Sequence, residues 1–212
     1  MSLLLKRCAV AAAASVLFFL GGCSSNTTTT DESAAKTPAA PPQLVTAKTA
    51  FYPMDTAAVT WASDAVLLTL EPKELTGFKN EGGKAAMWEG NFASRSLHAQ
   101  RTETYAIVTV LPSIHKGATA GIKQPWGGET QEVMGIDPEA FKIDSDVAYQ
   151  TASQDPAAAA WLKKNPDKQL TSIILGSAAK FHGPVWGVLW GDKKSGYIAY
   201  VDAKTGKIIK GK

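Results

Sequence analysis

Val185-Trp186-Gly187-Val188-Leu189-Trp190, followed by Tyr197-Ile198-Ala199-Tyr200-Val201-Asp202-Ala203-Lys204-Thr205-Gly206-Lys207-Ile208-Ile209, is the stretch that decides the fold. β-Branched and aromatic residues dominate both runs, as extended strands prefer, and strand side chains alternate between faces. Trp186, Val188 and Trp190 therefore share one face, and Tyr197 and Tyr200 lie on opposite faces. Asp202 followed by Thr205-Gly206 reads as a turn in which the Asp side chain accepts backbone N–H groups, and residues 207–210 as a brief last strand. The Val185–Trp190 run carries no charge and is apolar on both faces. One face must pack on helices, and the second needs cover from elsewhere in the chain, from a partner or from a dimer mate.

Working back from this hairpin, residues 170–175 form another strand. Before it, Asp144-Ser145 supplies a helix cap, and Val147, Ala148, Thr151 and Ala152 form a periodic stripe. Asp155-Pro156 ends that helix and caps a second one through Lys164, with Lys163 and Lys164 at its negative end and Asn165-Pro166 as its stop. The first half repeats the order. Asp55 reads as the N-cap of a helix over residues 56–70, in which Ala58, Trp61, Ala65 and Leu68 face inward and Pro72 closes the run. Strands follow at residues 87–94, 101–111 and 118–122, and Pro125-Trp126-Gly127-Gly128 reads as a turn. Each half has an aromatic on its helix (Trp61, Trp161), one on a middle strand (Trp88, Trp186) and a Tyr opening a β-rich run (Tyr105, Tyr197). The expected class is α+β, with two tandem helix-plus-antiparallel-sheet units at residues 51–135 and 136–212.

Over residues 144–210 the sequence resembles a PepSY domain, a family with a Trp-containing strand, a polar turn and a strand ending in Val-Asp-Ala-x-Thr-Gly-x-Ile. Here the matching residues are Val185–Trp190 and Tyr197–Ile209. The first half matches in element order and lacks the Asp-Ala-x-Thr-Gly ending. The resemblance implies a diverged tandem of PepSY-like units, a non-catalytic role, and inhibition or modulation of peptidases.

The N-terminus reads as an address. Lys6 and Arg7 precede an uncharged, mostly apolar run over residues 8–20, shorter than the roughly 17–25 residues of a membrane-spanning helix. Leu20-Gly21-Gly22-Cys23 resembles the bacterial lipoprotein signal, which implies a lipid on the Cys23 thiol and cleavage before it. Residues 1–22 are then the signal peptide. Residues 23–50, rich in Ser, Thr, Ala and Pro and free of aromatics up to Thr49, form a lipidated flexible linker with too little apolar surface to order. Ser24 in place of an acidic residue favours an outer membrane where one exists. The expected location is the cell envelope, facing the periplasm or exterior, with the membrane engaged through Cys23.

Composition narrows the function. The chain has 212 residues, is 45% hydrophobic and carries a net charge of +3, which suits a globular protein and gives no reason to expect nucleic acid. Of its two cysteines, Cys8 falls in the signal and Cys23 takes the lipid, leaving no thiol chemistry. Metalloprotease, serine-hydrolase and nucleotide-binding motifs are missing, and His98, His115 and His182 stand apart from other ligand types. We therefore expect no catalytic residues, no metal and no cofactor. The lysines at 193, 194, 204, 207, 210 and 212 form a solvated rim or attract anionic lipid or polymer. The aromatics Trp88, Tyr105, Trp186, Trp190 and Tyr197 are read two ways: as core, or as a binding face, since Trp and Tyr dominate recognition hot spots. The leading function is a non-enzymatic envelope lipoprotein that binds or modulates a protein or peptide partner, such as a peptidase. The alternatives are a structural or assembly lipoprotein of the outer membrane and a hydrolase without a recognisable motif.

Overall fold

The computed structural model describes residues 42–210. The signal peptide, Cys23 and most of the expected linker lie outside the described residues. The class is α+β: helix α1 (Ala47–Trp61) precedes strands β1 (Val66–Lys73), β2 (Met87–Ser94), β3 (Ala99–Ala106), β4 (Gly117–Ala120) and β5 (Gln124–Pro125). Helices α2 (Ser145–Gln154) and α3 (Pro156–Lys164) then precede β6 (Leu170–Ala178), β7 (Gly183–Trp190), β8 (Tyr197–Asp202) and β9 (Ile208–Ile209).

All nine strands belong to one antiparallel sheet of order β4-β3-β2-β1-β6-β7-β8-β9, with β5 paired to β3 beside β4. The two halves meet where β1 pairs with β6, at Thr69 with Gly176 and Leu70 with Leu175. The strand order is thus the same read outward from the β1–β6 seam in either direction. The halves share a sheet and also a core: Phe51 on α1 contacts Phe141 at 5.5 Å between ring centroids, and Phe141 contacts Trp186 at 5.8 Å. Both helical layers lie over this common core on one face of the sheet.

The second half forms as its local signals predict. The Asp144 carboxylate accepts the Ser145 N–H, and the Asp155 carboxylate accepts the Ala157 and Ala158 N–H groups at the α3 N-terminus. Asp202 accepts from the Lys204 and Thr205 N–H groups, closing the β8–β9 turn.

The first helix corrects the sequence reading. It spans Ala47–Trp61 rather than residues 56–70, so helix begins inside the stretch expected to be linker, and Pro53 lies within it. Thr46 at its N-cap makes no side-chain cap bond. Instead Ser145 Oγ accepts the Ala47 N–H at 2.9 Å and Asp144 Oδ1 accepts the Lys48 N–H at 3.0 Å, so the second half caps the first. Asp55, read as the cap, sits mid-helix, where burial raises the pKa of its carboxyl. Residues 66–70 are strand. The register shifts between Leu67 and Thr69, a bulge that buries Leu67, Leu68 and Leu70 together and breaks the alternation expected of a strand. Strand β3 is also shorter than read, ending at Ala106. Ile107 turns into a satellite core with Leu75 and Ala86.

Candidate functional site

The five aromatics proposed from sequence do not form an exposed surface. Trp88 and Trp186 are fully buried and Trp190 is nearly so. The Trp88 indole donates to the Val45 carbonyl at 3.0 Å, and the Trp186 indole donates to the Ile143 carbonyl at 2.9 Å. In each case the acceptor lies 43 residues earlier in the chain, two residues before a helix begins. Each indole thus pins the entry of its own helix to the middle of the sheet. Trp190 packs against Tyr149 and Tyr197, and Tyr197 packs against Trp161, tying α2 and α3 to the strands. Burial, and then the Asp155 carboxylate 3.5 Å from its oxygen, raise the Tyr197 phenol pKa. Tyr105 is half-buried, between the main and satellite cores. Of the two readings, core and binding face, the geometry matches the core: the pleat points these side chains towards the helical layer, where large rings fill the space between layers.

The opposite face is different in the two halves. In the first half it is polar. Lys73 bridges Glu71 and Glu89, each at 2.9 Å, and Asn91 bridges Thr69 and Thr102. In the second half the same face carries Ile174, Val185, Leu189, Ile198 and Tyr200, and among the described residues no α-helix lies over it. These residues line an open groove of about 490 Å³. Its floor is shaped by Gly176 and Gly187. A Cβ at Gly176 would meet nothing within 4 Å, and one at Gly187 would meet the Tyr200 ring at 3.6 Å and Ile198 at 3.7 Å. The floor is therefore low because two side chains are missing. Ile198, opposite Leu189 near the end of the β7–β8 ladder, is 45% exposed.

The ends of the groove are built from polar turns. At one end the Phe181 and Tyr200 rings pack at 4.8 Å between centroids, tilted by 43°, and the Lys180 ammonium lies 4.7 Å from the Phe181 centroid and 6.0 Å from that of Tyr200. At the other end Lys193 and Gly196 belong to a turn organised by Asp192. The Asp192 carboxylate accepts the Ser195 hydroxyl and the Ser195 and Lys194 N–H groups, which hold its pKa down at about 2. Glu132, from the connector between the halves, completes the lining. The result is an apolar trough with two cations and one anion at its margins. It offers contact area and charge matching.

Two other places hold polar groups away from water. A more polar hollow of about 770 Å³ lies between the 71–84 loop and the start of β6. Beneath α1, Glu103 is fully buried against Arg101, with Oε2 unpartnered; burial raises its pKa and Arg101 opposes the shift. Arg101 also donates to the Ala57 carbonyl and lies under the Trp61 ring, so this pair clamps α1 to β3. Among the described residues no three His, Cys, Asp or Glu side chains form a metal-sized cluster, and no helix is long and apolar enough to cross a membrane.

The groove residues were within reach of the sequence, because Ile198 and Tyr200 alternate with Tyr197 and Ala199, and Val185–Trp190 is apolar on both faces. Phe181 gave no such signal. It lies in a short 3-10 turn, Ala179–Phe181, that follows β6 and reverses through His182 at φ 57°.

No protein-family model matches the sequence. No curated protein matches it. A crystal structure of a protein described as a "putative lipoprotein" from Clostridium difficile 630 aligns with 74% of this chain and 87% of its own, at 10% sequence identity and a TM-score of 0.42.

Proposed function

We propose that the chain is a non-enzymatic protein of the cell envelope, held to a membrane by a lipid on Cys23, that binds a protein or peptide partner along the groove of its second half. The observation that carries this reading is the bare apolar face over Gly176 and Gly187, set beside the polar face of the first half. Exposed contiguous apolar surface on a folded domain marks a place where something else is buried. Lys180 and Lys193 at the margins favour a partner segment that presents an acidic group next to its apolar side chains. The Leu-Gly-Gly-Cys sequence supports the anchor and the envelope location, with an outer membrane favoured where one exists. The PepSY-like run over residues 144–210 makes a peptidase the first class of partner to examine.

Gly176→Trp tests this, because a side chain there enters open space and fills the groove without displacing the fold. Formaldehyde cross-linking in intact cells should give a discrete adduct with the unaltered chain and lose it in Gly176→Trp, while the purified variant keeps its melting temperature. An adduct of equal yield in the filled variant would exclude the groove as the binding surface.

A further inference from the structure

The two ends of the sheet are built differently, and the contrast goes beyond the groove. At one end, β9 is two residues long and is surrounded by the exposed Lys204, Lys207 and Lys210. Short length and lysines are the devices by which edge strands avoid pairing with other chains. At the other end, β4 and the residues after it read Gly117-Ala118-Thr119-Ala120-Gly121-Ile122, with no charge and no proline. Gly121 donates its N–H to the Thr102 carbonyl at 2.7 Å, continuing the register in which Thr119 faces Thr104. Backbone polarity alternates along an antiparallel strand, so Ala118 and Ala120 direct their N–H and C=O groups away from β3. Both alanines are exposed, and Ile122 beside them is 86% exposed. Helix α1 packs across β3 and β4, and among the described residues no strand pairs with the outer flank of β4.

We infer that the β4 edge accepts an extended segment of a partner polypeptide as an additional antiparallel strand, with acidic residues flanking an uncharged core. Lys116 and Lys123 bracket the neutral run, are exposed, and join none of the ion pairs among the described residues. That bracket decides the occupant. A second copy of this chain, paired antiparallel with Ala118 opposite Ala120, would set Lys116 opposite Ile122 and Lys123 opposite His115, so neither lysine would meet a carboxylate. An acid-flanked strand converts both ends to attraction, while backbone bonds to Ala118 and Ala120 supply the pairing and Ile122 a side-chain contact. The edge belongs to the first half and the groove to the second, so the two sites can be separated experimentally.

The test uses two short synthetic peptides with the same alternating Thr-Val core, one flanked by glutamates and one by lysines, added at millimolar concentration to the purified chain. Amide hydrogen exchange is followed by NMR at Ala118 and Ala120. The glutamate-flanked peptide should slow both amides by about tenfold or more, the lysine-flanked peptide should not, and Lys116→Glu with Lys123→Glu should reverse the preference. Ala120→Pro, which removes an outward N–H and leaves the β3 ladder intact, should abolish the effect at Ala118, and Gly176→Trp should leave it unchanged. Exchange unaltered by either peptide, equal slowing by both, or loss of the effect in Gly176→Trp would overturn the assignment.

Discussion

Trp88 and Trp186 show how much of this architecture is carried by single side chains. Each is fully buried, and each satisfies a carbonyl just before its helix, at the same separation in sequence. Replacing Trp186 with Phe keeps most of the apolar area but leaves the Ile143 carbonyl without its donor, at a cost of about 1–3 kcal/mol, whereas in Trp88→Phe the Val45 carbonyl keeps the Ala85 N–H at 2.9 Å. Replacing either indole with Ala adds a cavity and should cost about 3–5 kcal/mol. Urea unfolding should therefore show a larger loss for Trp186→Phe than for Trp88→Phe, because only the Ile143 carbonyl loses its donor outright. An equal or larger loss for Trp88→Phe would mean that the Ala85 N–H does not hold the Val45 carbonyl once the indole is gone. Both aromatics were visible in the sequence as strand residues, but their hydrogen-bond partners were not. The acceptors are backbone carbonyls, which leave no trace in residue type.

At the scale of elements, what could be read in advance depended on where each element finds its stop and start signals. The second half is legible because its signals are local: Asp144 and Asp155 cap their own helices, and Asp202 closes its own turn. Helix α1 was misplaced because its cap comes from Ser145 and Asp144 across the pseudo-symmetric junction, while Pro53 and Asp55 imitate a start in the middle. The bulge in β1 compounds this, since burial at 67, 68 and 70 resembles a helical stripe more than a strand. Gly83 at φ +78° lies close to the same junction, where a Cβ would come within 2.3 Å of the Ser145 carbonyl oxygen. The shared cap makes a specific prediction. Ser145→Ala should destabilise the chain by about 1–2 kcal/mol and should speed hydrogen exchange at the Ala47 amide in the other half. Exchange at Ala47 unchanged from the parent chain would show that the cross-half bond does not hold α1.

For the whole molecule, joining two similar halves through β1 and β6 has a functional consequence. Because they meet edge to edge, neither half covers the far face of the other. The first half tolerates this with ion pairs and amide–hydroxyl bridges, and the second leaves an apolar trough in the open. The same arrangement leaves two sheet ends, one a two-residue strand among lysines and the other a longer uncharged run between Lys116 and Lys123. The most direct measurement places a photo-reactive amino acid at Ile198, inside the groove, or at Thr104, on the polar face of the first half, and irradiates intact cells. The account predicts an adduct to a protein partner from Ile198 that is absent from Thr104. Adducts of equal yield from both positions, or from Thr104 alone, would contradict it.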